Sequence, residues 1–305
     1  MKKSLLLFCI LLGGSSCSPI LQGTKVKNLS NDFCSPAVFY DYSQIEHNHE
    51  NTDQIDSILA LHLSEHDRFI SQAIGIAPYL SALYLPQTDT LKALVMQQKI
   101  DNRLTLTNIE IAAIAAELDC NGERFGQLAD YVENINNQKN TRLTVASVAL
   151  GALTTVATVL ISDNSANTAV GVGGGLISAG LGALTIAPKG KKVQLSFQRN
   201  LLRNIWTGNN DNHDYPVSIW NILNERSLSN SGKITLRENI KKRWTEYKFE
   251  NKVDQQEEHL FFDNGGIYSA EDLQKRANML NELQATIRSI NQDLRSLTIK
   301  LNMAK

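Results

Sequence analysis

The feature that most constrains this chain is a pair of uncharged apolar runs near its middle. Residues 143–161 and 168–187 contain no charged side chain, and these runs of 19 and 20 residues match the ~20 residues that a helix needs to cross a bilayer. Six residues separate the runs, and Asp163 lies among them, so the chain can turn back between two helices. Basic residues flank the pair: Arg142, Lys189, Lys191 and Lys192. The pattern predicts a hydrophobic helical hairpin over residues 142–188 with two candidate transmembrane helices.

Small residues recur at every fourth position within this hairpin. Residues four apart share one face of a helix, and small residues there let two helix backbones approach closely within a membrane. The rows predicted to pack are Ser147, Gly151 and Thr155 in the first run, and Gly171, Gly175, Ala179 and Ala183, with a further row of Gly174, Ser178 and Gly182, in the second. Each helical glycine costs roughly 1 kcal/mol in water, whereas a bilayer enforces helix because no water bonds the backbone. A buried hairpin in a soluble core is the alternative, and two adjacent runs of spanning length favour the membrane.

The first 17 residues have the three parts of an export signal. Lys2 and Lys3 precede a short apolar stretch at 5–12, and small residues at 13–16 lead to Cys17. This order resembles the lipobox of bacterial lipoproteins, although Gly14 stands where that family usually has leucine. The resemblance covers residues 1–17 alone. It implies a cleaved signal peptide and fatty acyl chains, such as palmitate, on Cys17, and hence a cell-envelope protein anchored to the outer membrane or to a periplasmic face. Ordinary signal cleavage, with Cys17 incidental, is the alternative.

Outside the hairpin the composition is that of an ordinary globular protein. Of the 305 residues, 20% are charged and 42% hydrophobic, and the net charge is −1, so no basic excess points to nucleic acid as a partner. Residues 18–52 are polar and aperiodic, which predicts a tether. Residues 53–141 and 189–305 are predicted to be helical regions on either side of the hairpin. The expected fold is mainly α, an elongated helical bundle with little strand.

Capping signals and apolar periodicity place the predicted helices. Apolar spacing predicts one helix over 53–74, and the T-x-x-E boxes at Thr107 and Thr235 are typical of helix starts. Asn121 and Gly122 mark a possible break.

The last predicted helix, 269–303, shows the clearest amphipathic pattern. Apolar side chains fill the a and d positions of about four heptads, as in a coiled coil, and Arg276 alone interrupts the second row. The apolar positions are Leu273, Leu280, Ile287, Leu294 and Leu301, with Leu283, Ile290 and Leu297 three residues later. Packing within the chain is the preferred interpretation, and homo-oligomerisation through this face is the alternative.

The strongest candidate for catalysis is the segment from His62 to His66. It matches the H-x-x-E-H pattern of inverted zinc proteases, in which the two histidines bind zinc from one helix face and Glu65 acts as base. No third ligand is identifiable, and both histidines fall on the apolar face, which is typical of core histidines. We therefore predict no enzyme activity, cofactor or metal, with His62 and His66, and also His47 and His49, as weak candidates for a metal role.

Two cysteines remain once Cys9 is removed with the signal and Cys17 is lipidated. They are Cys34 and Cys120, and disulfides persist in the compartments that exported proteins reach. The sequence therefore predicts a Cys34–Cys120 disulfide.

Three functions are compatible with these patterns. The first is a non-enzymatic, lipid-anchored envelope protein whose glycine-zipper hairpin inserts in or packs against a membrane. The second is a membrane-perturbing protein, because long helices flanking a hydrophobic hairpin resemble the layout of α-helical pore-forming toxins. The third is a zinc hydrolase using His62, Glu65 and His66. Expected partners are membrane lipid and either a second copy of the chain or another envelope protein.

Overall fold

The computed structural model describes most of the chain after its first 19 residues. The described ranges are 20–30, 33–36, 52–86, 89–186, 190–229 and 232–303. Within them lie eleven α-helices, a 3-10 helix and two short strands, which confirms a mainly α fold. The predicted signal peptide with Cys17, most of the predicted tether, and both His47 and His49 lie outside the described residues.

The N-terminal part forms four short helices. They are α1 (Thr24–Ser30), α2 (Thr52–Leu59), α3 (Glu65–Ala73) and α4 (Ala77–Tyr84). The single helix predicted over 53–74 is wrong, because Ser64 ends the turn after α2 and caps α3, its hydroxyl oxygen accepting the backbone N–H of Asp67. The predicted tether is likewise helical in part, since α1 falls within it.

The long central helix α5 (Thr90–Leu160) has 71 residues and is followed by α6 (Asn164–Ile186). The predicted helix start at Thr107 and the possible break at Asn121 and Gly122 are wrong, because α5 runs through both. The hydroxyl of Thr107 donates to the carbonyl of Arg103, one turn earlier. A Cβ added at Gly122 would lie 2.1 Å from Oδ1 of Asn281, so this glycine allows close helix packing and does not break the helix.

The C-terminal part combines short helices with one long helix. Its elements are β1 (Val193–Ser196), α7 (Leu201–Thr207), α8 (Val217–Asn224), a 3-10 helix (Arg226–Leu228), α9 (Leu236–Tyr247), α10 (Gln255–Phe262), β2 (Gly265–Tyr268) and α11 (Ala270–Met303). Thr235 and Glu238 form the predicted capping box of α9. The two strands pair in a two-stranded sheet. Little strand was predicted, and these two strands were not located from the sequence. Along β1, buried and exposed side chains alternate.

The heptad face of α11 is buried within the chain. Every predicted apolar a and d position from Leu273 to Leu297 is at most 3% exposed, and Arg276, the interruption, is also 3% exposed. The preferred interpretation, packing within the chain, is confirmed.

The chain divides into two compact units. The first comprises Met1–Ser30, Gln127–Leu195 and Ile267–Leu273, and the second Asn31–Gly126, Ser196–Gly266 and Gln274–Lys305. The first unit holds the hairpin and α1, and buries apolar side chains such as Leu128, Val132 and Val193. The second has an aromatic core in which Trp206 stacks on Phe262 at 4.3 Å between ring centroids.

Candidate membrane-contacting hairpin

The hairpin consists of the end of α5 and all of α6, joined through residues 161–163. At its centre, Ser147 donates to the backbone carbonyl of Ser178 at 2.8 Å, and Ser178 donates to the carbonyl of Ser147 at 2.9 Å. The helices approach so closely that a Cβ added at Gly174 would lie 2.1 Å from Oγ1 of Thr154. One added at Gly171 would lie 3.4 Å from the Thr158 methyl. Small residues therefore bring the two backbones together.

The seam contains part of the rows predicted from the sequence: the whole row Gly174, Ser178 and Gly182, and from the other rows Ser147, Gly151 and Gly171. The spacing of the seam residues on α5 is 147, 151, 154 and 158, and on α6 it is 171, 174, 178 and 182, with steps of three and four. Gly175 and Ala179, which the sequence predicted to pack, are exposed, and so is Thr155. On a helix with 3.6 residues per turn, each step of four residues rotates the side-chain direction by about 40°, so a row with this step contacts the partner helix over a short length only. Ala183 lies in α6, and its side chain lies outside the described residues.

Seven hydroxyl groups of the hairpin helices donate to backbone carbonyls of α5 or α6. In α5 they donate to a carbonyl of their own helix or, for Ser147, to α6. The donors beyond residue 142 of α5 are Thr144, Ser147, Thr154, Thr155 and Thr158. In α6, Thr168 donates to the carbonyl of Asn164, and Ser178 donates across the seam. This internal pairing is what a helix needs where no water is present.

The outer faces of the hairpin are apolar and uncovered. Leu153 is 66% exposed, and the most apolar 18-residue window of α5 has none of its residues buried. The other large exposed side chains are Val145, Val148, Val156, Val159, Leu160, Val172, Leu176 and Ile177. Among the described residues, one helix, α5, is long and apolar enough to cross a membrane. The alternative of a hairpin buried in a soluble core is therefore wrong for these side chains, because they are uncovered.

Polar contacts define the two ends of the hairpin. At the tip, Oδ1 of Asp163 accepts the backbone N–H of Ala166 and so caps α6. At the base, Oδ1 of Asn136 accepts the backbone N–H of Lys191 at 2.6 Å. The segment before α1 closes the base, since Ile20 forms a parallel bridge with Lys192 and the N–H of Leu21 donates to the Lys192 carbonyl at 2.8 Å.

The predicted zinc arrangement does not form. His62 lies in the turn before α3, where its ring stacks on Tyr84 at 4.0 Å, while His66 lies in α3 and its Nε2 is 3.1 Å from Asp293. The two histidines therefore do not share a helix face, as the H-x-x-E-H pattern requires. The described residues contain no group of three or more His, Cys, Asp and Glu side chains able to hold a metal ion.

The predicted disulfide is present. Cys34 and Cys120 are joined across a sequence separation of 86, with their Cα atoms 5.6 Å apart. The bond fastens the segment 33–36 to α5.

A buried cluster of charged residues was missed by sequence reasoning. Arg276 donates to the Phe261 carbonyl at 2.8 Å and to Oδ1 of Asn200 at 2.9 Å, and its guanidinium lies 4.1 Å from the Phe197 ring centroid. Nearby, Nε of Arg199 donates to Glu117 at 3.0 Å. The one signal in the sequence was the arginine in the heptad row. Because its charge meets carbonyl, amide and aromatic partners, we interpret the cluster as structural.

A second polar group links α3 to the end of α11. Asp67 is fully buried and accepts hydrogen bonds from Ser64 and Lys300. Burial alone would raise the pKa of Asp67, but the hydrogen bonds of Lys300 and Ser64 and the charge of Lys300 outweigh it and lower that pKa. For Asp293, burial dominates over the attraction of His66 and raises its pKa.

The chain was also compared with known proteins. No protein-family model, curated protein or solved structure matched it. The geometry of the hairpin therefore supplies the observations from which a function is proposed.

Proposed function

We propose that this chain is a non-enzymatic, lipid-anchored cell-envelope protein whose hairpin inserts into a membrane. The observation that carries the proposal is the division of the hairpin into a polar inside and an apolar outside. Serine and threonine hydroxyls are satisfied by backbone carbonyls, while large aliphatic side chains such as Leu153 and Val159 face outward. In water, contiguous apolar surface of this kind is unfavourable at about 25 cal/mol per Å².

The length of the hairpin supports the same proposal. The part of α5 beyond Arg142 has no charge up to its end at Leu160, and at 1.5 Å per residue it rises about 27 Å, close to the ~30 Å hydrocarbon core. Charged residues lie at the tip, Asp163, and before the run, Arg142. An inserted hairpin thus keeps its charges near the two surfaces of the bilayer.

The lipid part of the proposal rests on the first 17 residues and their resemblance to a lipobox. Acyl chains on Cys17 would hold the protein at a membrane surface, and the hairpin would add a second attachment.

A pair of matched substitutions tests insertion. Leu153 and Leu91 are both exposed leucines of α5, at 66% and 71%, but only Leu153 lies in the apolar run. In a form with Cys17→Ser and an ordinary signal peptide, we expect Leu153→Arg to release the protein from carbonate-washed membranes. The reason is that arginine at the centre of a span costs ~3 kcal/mol. Leu91→Arg should remain in the membrane.

Equal behaviour of the two variants would contradict insertion, because an exposed leucine in water tolerates arginine. Intact mass of the wild-type N-terminus tests the lipid separately. An unmodified Cys17 would remove the lipid anchor from the proposal and leave the hairpin in place.

A membrane-perturbing function is the second candidate. The observation that favours it is the outward position of Gly175 and Ala179, since a Cβ added at Gly175 meets no atom of the described residues within 4 Å. Small residues on an outer face allow a second copy to approach within the membrane. Release of an entrapped dye from liposomes, together with oligomers that Gly175→Leu abolishes, would support this function over simple anchoring.

A further inference from the structure

The bridge between Ile20 and Lys192 fixes how far Cys17 can lie from the base of the hairpin. Ile20 is paired with the residue that follows α6 and Lys191, and only three peptide units separate it from Cys17. Three residues span at most roughly 11 Å when fully extended. An acyl chain on Cys17 would therefore enter the membrane beside the base of the hairpin, and not at the end of a long tether.

Three exposed basic side chains belong to the segments that form this base: Lys139, Arg142 and Lys192. Arg142 immediately precedes the apolar run, and Lys139 lies one turn below, about 6 Å from its start at 1.5 Å per residue. Lys192 is adjacent to Lys191, whose backbone is bonded to Asn136. The headgroup layer on each side of a bilayer is roughly 5–7 Å thick, which long basic side chains reach by extending along the helix. We name these three residues the basic collar.

The acidic residues of the same stretch lie further from the membrane boundary. Asp130 and Glu133 precede the apolar run by 13 and 10 residues, which is about 20 and 15 Å along α5. Lys25, on α1, lies over the ring of Tyr131 and so also at this more distant level. Along α5, the charged residues nearest the apolar run are therefore basic.

We propose that the basic collar binds anionic phospholipid headgroups of the leaflet that carries the Cys17 lipid, so that hairpin and acyl chains enter one membrane from one side. This inference rests on the proposed function. Apolar insertion alone shows no preference for lipid charge, whereas a collar of three cations favours an anionic surface by about fivefold per charge. The phosphate of the headgroup is the complementary group, since lysine and arginine both bind it.

The test compares vesicles of phosphatidylcholine with vesicles of an equimolar mixture of phosphatidylcholine and phosphatidylglycerol. The exported full chain should bind the mixed vesicles more tightly, and the triple variant Lys139→Gln, Arg142→Gln, Lys192→Gln should lose that preference. The expected loss is on the order of a hundredfold if the three contributions add. The matched control removes two lysines and one arginine from exposed positions outside this unit, by Lys92→Gln, Lys242→Gln and Arg295→Gln. It should bind like the wild type.

The side of entry is read from single cysteines and a maleimide that does not cross membranes. With the protein added from outside, Gln138→Cys at the base should react, and Ser165→Cys at the tip should be protected until detergent opens the vesicles. Equal binding of the collar and control variants, or reaction at both cysteines, overturns the inference. Absence of carbonate-resistant binding to either vesicle overturns the proposed function instead, so the two failures are distinguishable.

Discussion

Ser147 and Ser178 hydrogen-bond each other's backbone carbonyls across the hairpin, with donor–acceptor distances of 2.8 and 2.9 Å. Their hydroxyl oxygens lie 3.3 Å apart. This reciprocal pair aligns the two helices in one register, because sliding either helix by one turn breaks both bonds. It also leaves neither serine hydroxyl facing the apolar outside.

The serine pair should be energetically coupled. We expect Ser147→Ala and Ser178→Ala to destabilise the hairpin non-additively, with a coupling energy of about 0.6 kcal/mol and at most about 1.7 kcal/mol, the range for hydrogen bonds between membrane helices. A double-mutant cycle on unfolding in detergent micelles measures it. Thr155→Ala with Ser178→Ala is the control pair, since Thr155 donates within its own helix. The same coupling in both pairs would contradict a direct contact.

Gly174 and Gly175 are adjacent in α6 but should respond oppositely to alanine. At Gly174 a methyl group would lie 2.1 Å from Oγ1 and 2.7 Å from Cγ2 of Thr154, so Gly174→Ala should cost roughly 1–3 kcal/mol. Gly175→Ala meets no described atom and should stabilise the helix by up to about 1 kcal/mol. Proteolysis rates of the hairpin in micelles compare the two. Equal protection in both variants would contradict the close approach of α5 and α6.

Asp67 should stabilise the protein in a pH-dependent way. Its folded pKa is lowered below 3.8, so its contribution is present above that pH and is lost as the pH falls through the folded value. Asp67→Asn should therefore cost about 1.5–3 kcal/mol at pH 7, and the difference from wild type should shrink below pH 3.8. Urea unfolding at several pH values measures this dependence.

Asp293 provides a control of opposite sign for that experiment. Its pKa is raised, so the wild type loses stability as the pH rises from 3.8 through the folded value. The cost of Asp293→Asn should therefore decrease with rising pH, whereas the cost of Asp67→Asn increases. Parallel profiles for the two variants would show that one of the two pKa directions is wrong.

The Cys34–Cys120 disulfide should contribute substantially to stability. It closes a loop with a sequence separation of 86, for which the chain-entropy model gives about 4.6 kcal/mol. The double variant Cys34→Ser, Cys120→Ser should unfold at lower urea concentration than the oxidised protein, and reduction of the wild type should reproduce the shift. An unchanged midpoint would mean that the bridge constrains the unfolded chain little.

Arg276→Leu would complete the apolar heptad row of α11, yet it should destabilise the protein. The substitution removes the donors that bond the Phe261 carbonyl and Asn200, and leaving such buried groups unsatisfied costs about 1–3 kcal/mol. Ala277→Leu would not be an informative control, because that position is itself buried. The better comparison is the exposed Arg295→Leu, which should change stability by less than about 0.5 kcal/mol. Urea unfolding measures both changes.

Periodicity and end signals were enough to predict the helical class, the hairpin and the heptad face of α11. These sequence patterns failed at positions whose role is set by contacts between residues distant in the chain. Gly122 reads as a helix breaker in sequence, but it is the point at which α5 meets Asn281. In the same way, the sequence predicted that Gly174 and Gly175 both pack, and only the rotation of α6 against α5 shows that Gly174 lies in the seam whereas Gly175 faces outward.

The histidines show a second limit of the sequence. His62 and His66 have the spacing of one helix face, but Ser64 caps α3 between them; serine is a preferred N-cap residue, and this helix start was missed in the sequence because the apolar spacing continues across it. The Ile20–Lys192 bridge could not be predicted from the sequence either, because no local pattern predicts a pairing between residues so distant in the chain.

The redox state of Cys34 and Cys120 also reports which compartment a molecule has reached. Cytosolic thiols stay reduced, so a chain in which Cys34 and Cys120 are joined has passed through an oxidising compartment. Alkylation of a whole-cell sample would thus distinguish newly made chains, whose thiols react, from exported chains, whose Cys34 and Cys120 are joined. No tag on the protein is needed. Variants that stall before delivery would be recognised by free thiols at Cys34 and Cys120, even where their abundance is unchanged.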